Sequence, residues 1–88
     1  MFVSFGAETT KKYGKDELEG ILAALTDEKY GFVLRAKGIL QSPDGSWMQF
    51  DLTPGEYEIR EGFASYTGLL CVIGTDLNED KLAALFGL

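Results

Sequence analysis

Phe32-Val33-Leu34-Arg35-Ala36-Lys37-Gly38-Ile39-Leu40 decides the fold. The stretch alternates as a strand with one buried face does. Phe32, Leu34, Ala36, Gly38 and Leu40 fall on one side, Arg35 and Lys37 on the other. Pro43-Asp44-Gly45 follows, and Met48, Phe50 and Leu52 then alternate in turn. Proline suits the first position of a turn, and glycine suits the left-handed third position of a short hairpin loop with a bulge. Such a loop pairs Ser42 with Ser46, hence Leu40 with Met48, Gly38 with Phe50 and Ala36 with Leu52. A slip of one residue would set the apolar face of one strand against the wet face of the other. The same register sets Lys37 opposite Asp51, and the Phe50 ring fills the space that Gly38 leaves empty.

Upstream, Met1–Gly6 reads as a short strand and Ala7–Gly14 as a polar connection. Leu18, Ile21, Leu22 and Leu25 make one helical stripe, which predicts a helix over Lys15–Thr26. Gly14 is its N-cap, Asp16 and Glu17 place anions in the first turn, and Tyr13 staples onto Leu18. Asp27–Gly31 ends it. Downstream, Thr53-Pro54-Gly55 turns the chain into a short strand at Glu56–Arg60, and Glu61–Ser65 is irregular. Tyr66–Thr75 is the most apolar run, which predicts a central strand. Asn78 caps a second helix whose stripe is Leu82, Leu85 and Phe86. The order β-α-β-β-β-β-α, with two one-striped helices, predicts an α+β two-layer sandwich. It has a mostly antiparallel sheet of four to five strands, both helices on one face, and is of ferredoxin-like type.

Eighty-eight residues suffice for one domain with a modest core. A net charge of −6 repels phosphate backbones and anionic lipid, so neither nucleic acid nor membrane is an expected partner. No signal peptide is visible, and no apolar run approaches the roughly 20 residues a spanning helix needs. The chain has no histidine, which removes the commonest general base and metal ligand. Cys71, the one cysteine, forms no internal disulfide and reads as a small buried hydrophobe inside an apolar strand. No glycine-rich loop ends in Gly-Lys-Ser/Thr. Asp76, Asn78 and Asp80 lack the glycine and distal glutamate of a calcium loop, and capping accounts for them. Glu56, Glu58 and Glu61, with Asp51 near, carry no second catalytic group type and read as a charged sheet edge. These residues therefore name no catalytic, cofactor-binding or metal residue.

Three side chains stand out as a candidate interaction surface. Arg35 and Lys37 project from one strand face, either to meet an anion or an acidic partner or as a solvated face with a Lys37–Asp51 pair. Trp47 falls on the outer face of its strand, either exposed as a contact or covered by Ala7–Gly14.

Leu34-Arg35-Ala36-Lys37-Gly38-Ile39 resembles the Arg-x-Lys-Gly strand of the C-terminal domain of the CobW family. Val72-Ile73-Gly74-Thr75-Asp76-Leu77-Asn78 resembles that domain's closing Ile-Gly-x-x-Leu strand and helix. Phe2–Gly6 with Asp16-Glu17-Leu18 resembles its opening strand and helix, so the likeness runs over nearly the whole chain in order. The resemblance implies a cytoplasmic, non-catalytic accessory domain of a P-loop GTPase linked to cobalamin biosynthesis or metal delivery. Residues 1–88 would be one such domain, excised from a larger GTPase. GTP and a divalent metal (zinc or cobalt) would then be held only by the parent's GTPase domain. That domain is the expected partner, with a metal-receiving protein as a further option. A stand-alone small-molecule sensor, as small α+β sandwiches often are, is the alternative.

Overall fold

Phe32–Gln41 (β2) and Trp47–Thr53 (β3) form the hairpin that the turn chemistry dictates, pair for pair. Leu40 faces Met48, Gly38 faces Phe50 and Ala36 faces Leu52. The Ser42 amide donates to the Ser46 carbonyl at 2.8 Å and closes the loop. The coordinates are a computed structural model describing residues 1–88.

The other strands are Val3–Thr9 (β1), Glu56–Glu61 (β4) and Gly68–Thr75 (β5). They complete a five-stranded sheet of order β1-β5-β2-β3-β4, antiparallel at every pairing. β5 is interior, as its apolar run requires, but the geometric centre is β2. β1 and β2 run parallel with β5 between them, and Lys15–Ala24 (α1) joins them. That is the split β-α-β unit of ferredoxin-like sandwiches. Glu79–Leu85 (α2) ends the chain's regular structure.

Both helices pack on one face of the sheet. Leu18 and Leu22 of α1, Leu82 of α2 and Phe86 are buried in one cluster with Leu40, Phe50 and Val72 of the sheet. The caps follow the sequence. Glu17 accepts from the Gly14 amide at 3.4 Å, and the Asn78 side chain accepts from the Lys81 amide at 3.0 Å. Tyr13 and Leu18 are both fully buried, as a staple requires, and the Tyr13 hydroxyl donates to the Phe86 carbonyl. That bond ties the connection before α1 to the end of α2. A 3₁₀ turn, Glu28–Tyr30, follows α1, and the Tyr30 carbonyl accepts from the Asn78 amide at 3.2 Å.

α1 ends at Ala24, β4 runs to Glu61 and β5 begins at Gly68, each within two residues of the sequence reading, and two larger differences bear on the faces of the sheet. β1 begins at Val3 and runs through Ala7, Glu8 and Thr9, which pair with Leu70, Leu69 and Gly68. An edge strand tolerates polar side chains on its wet side, so the polarity of Ala7–Thr9 hid a strand. The second difference is inside β2. Val33 pairs with Gly74 and Arg35 with Ile73, so Leu34 has no opposite number on β5. This bulge breaks the simple alternation. Val33 is buried with Ala36, and Phe32, expected in the core, is 60% exposed.

Gly38 sits where β2 passes closest to its neighbours. A Cβ there would come within 2.8 Å of Phe50 Cε1 and would also collide with the Leu69 carbonyl oxygen. Backbone cannot yield as a flexible side chain can. Gly38→Ala is expected to destabilise the fold by about 1–3 kcal/mol, the usual cost of overpacking. In urea the midpoint should fall with an unchanged slope.

Candidate functional site

With both helices on one side, the second face of the sheet is open. The pairings define what it shows. Ile39, Lys37 and Arg35 of β2 lie beside Leu69, Cys71 and Ile73 of β5. Across β3 and β4 the row continues with Gln49 beside Arg60 and Asp51 beside Glu58. One half of this face is therefore apolar and the other charged.

Arg35, Lys37 and Trp47 all alternate onto this face, so the fold brings the three onto one surface. Their situations differ. Arg35 donates to Asp51 Oδ1 at 3.2 Å, while Arg60 donates to Asp51 Oδ2 at 3.0 Å. Arg60 also approaches Glu58 at 3.5 Å. Lys37, expected to pair with Asp51 across the hairpin, has Asp51 as its Cα neighbour but makes no ion pair. Two guanidinium groups occupy both oxygens of the carboxylate, and a planar fork matches it better than an ammonium does. Trp47 is half-buried at the hairpin end, where its carbonyl accepts from the Gly62 amide at 2.9 Å.

The acidic group divides. Asp51 and Glu58 join the arginine network, whereas Glu61 alternates to the other side, opposite Met48. No three Cys, Asp or Glu side chains are arranged to hold a metal ion, and no helix is long and apolar enough to cross a membrane.

The sequence reading missed the centre of the face. Lys37, Ile39, Gln49, Leu69 and Cys71 line a shallow groove of about 390 Å³, with Phe63 at its rim. Phe63 is 90% exposed. It belongs to the β4–β5 connection, which Tyr66 fastens to β1 by donating from its hydroxyl to Glu8. Glu8 pushes the Tyr66 hydroxyl's pKa up. Cys71, read as a buried hydrophobe, is half-buried in this groove, because β5 turns alternate residues to the uncovered side. The signal was present in the sequence: Leu69–Ile73 is apolar at every position, whereas a strand with one wet face alternates.

A small α+β sandwich with one helix-clad face and one open face defines the class. The chain matches the family described as the cobalamin synthesis protein CobW C-terminal domain over residues 2–87. It belongs to that family. The Zn(II)-bound YjiA GTPase from E. coli has a similar fold, with a TM-score of 0.78 at 23% identity over 97% of this chain. A Zn(II)-bound triple mutant of YjiA GTPase superposes with a TM-score of 0.81 at 20% identity. This chain spans 28% of the length of either. No curated protein matches it in sequence.

Hydrogen bonds from Arg60 and then Arg35 hold the Asp51 carboxyl below the usual aspartate range. A lowered folded-state pKa contributes stability above the unfolded value of about 3.9, which is lost as pH falls through the folded value. Solvent reaches these side chains, so the contribution at neutral pH is about 1 kcal/mol or less. Asp51→Asn should therefore melt slightly below wild type at pH 7. The gap should persist down to about pH 4 and close only in more acid solution, in a series of thermal melts.

Proposed function

We propose that this chain is the C-terminal accessory domain of a CobW-type GTPase serving metal delivery or cobalamin biosynthesis. The observation that carries the reading is the family match over residues 2–87, in a chain that spans only 28% of the GTPases sharing its fold. In this reading residues 1–88 are one domain of a larger cytoplasmic protein. GTP and a divalent metal, zinc or cobalt, belong to the upstream GTPase domain. The zinc carried by the YjiA structures supports zinc as the metal. The domain itself catalyses nothing. Arg35, Lys37 and Trp47 form part of its contact surface, toward the parent's own GTPase domain and toward a metal-receiving protein.

One observation favours the sensor alternative. The groove at Lys37 and Leu69 has about 390 Å³, within the size range of small-molecule sites. Its openness to solvent speaks for a flat protein contact instead, since ligand sites enclose most of their occupant.

Calorimetry on the 88-residue chain with GTP and, separately, Zn(II) should give no binding at micromolar or tighter Kd. The full parent should hydrolyse GTP. Tight binding of either by the isolated domain would count against the accessory role. A ligand-dependent rise in melting temperature across a metabolite set would favour the sensor.

A further inference from the structure

We propose that the open sheet face, from Phe32 and Ile73 at one end to Phe63 at the other, is the surface on which this domain docks against the domain preceding it in the parent chain. The inference rests on the accessory-domain reading and adds which face is used.

The first argument is composition. A strand whose two faces are both apolar needs cover on both. β5 has it on one face only. Leu70 and Val72 are buried under the helices, while Leu69, Cys71 and Ile73 lie on the open side beside Ile39. The second argument is the position of the large exposed hydrophobics. Phe32 pairs with Thr75, next to Ile73, and Ile73 pairs with Ser4 of β1. Phe2, 68% exposed, immediately precedes β1, whose first residue Val3 pairs with Gly74. Phe32 and Ile73 thus form an apolar corner of the open face, at the end of the sheet where β1 begins.

The third argument names the occupant. The family is a C-terminal domain, and the GTPases that share its fold are several times longer than this chain. In the accessory-domain reading the preceding polypeptide enters at the start of β1, at the Phe32 and Ile73 end of the sheet, which sets the upstream domain beside the open face. The size fits. Five strands of about seven residues present roughly 20 Å by 23 Å, or about 450 Å² in plan. Domain contacts within one chain bury about 300–750 Å² a side.

Cys71 provides the probe. It lies on the open face and can be alkylated with N-ethylmaleimide, its peptide then quantified by mass spectrometry. In the full parent, Cys71 should react at least about tenfold more slowly than in the 88-residue chain, because labelling then waits for the interface to open. Phe32→Ser with Ile73→Ser, both at solvent-exposed positions, should restore fast labelling in the parent. Lys37→Glu should do so independently through charge, and the melting temperature of each variant in the 88-residue chain shows whether its fold survives. Equal rates in parent and isolated chain would overturn the docking face while leaving the accessory role intact. A dimeric 88-residue chain with Cys71 protected would assign the face to a second copy and overturn it also. A coding sequence with no phosphate loop upstream of Phe2 would remove both readings together.

Discussion

The molecule depends on one close passage. β2 runs between β3 and β5, and at Gly38 it is squeezed between the Phe50 ring and the Leu69 carbonyl. The missing side chain lets that ring lie over the strand and fill the core. Gly38 lies in the stretch Ala36–Ile39 that is paired on both sides, opposite Phe50 on β3 and Leu70 on β5. Register fixed there sets the facing of every neighbouring residue, since side chains alternate without exception along a regular strand. Leu40, Phe50 and Val72 go under the helices; Lys37, Ile39 and Cys71 go to the open side.

The bulge at Leu34 then redirects the far end of β2. Without it, Phe32 would share the face of Ala36 and enter the core. One extra residue places Val33 inside and Phe32 outside, beside Thr75. A bulge in the middle strand of a sheet disturbs its ladder, so the change has a local cost. Its effect is to move a phenylalanine from the core to the open face, beside Thr75, which is the arrangement the proposed docking would use.

Much of this was legible from residues alone. The hairpin register followed from Pro43-Asp44-Gly45 and two alternating apolar sets, and it agrees at Leu40, Gly38 and Ala36. Helix positions followed from their stripes, and caps from Gly14 and Asn78. Three features were not legible, for separate physical reasons. The Leu34 bulge depends on how β5 seats against β2, a long-range contact that no local pattern encodes. The end of β1 was masked by Glu8 and Thr9, polar side chains that an edge strand accepts. The partner of Asp51 was misread because Cα opposition favours Lys37, while the longer reach and planar geometry of Arg35 and Arg60 win the contact. The groove is the instructive case. Both helices were expected on one face and Leu69–Ile73 is apolar throughout, so the signal was there; reading Cys71 as a buried hydrophobe hid the uncovered side of β5.

The pairing of Asp51 has a consequence for specificity. Two arginines share that carboxylate, and Glu58 lies beside Arg60, so the charged half of the open face is largely self-satisfied. Lys37 is left over, at the boundary with the apolar half and in the wall of the groove. Covering the band from Ile39 to Ile73 with another protein surface takes water away from its ammonium. An ammonium buried without an anion costs several kcal/mol, whereas one that meets a carboxylate loses far less. Apolar contact alone would accept many partners. In the proposed docking the unpaired cation would restrict the choice to a surface with an acid at that one position, since any other would pay the desolvation penalty without return. In the docking proposed for this face, affinity would come from the β5 hydrophobics and selectivity from a lysine that the neighbouring arginines leave without a partner.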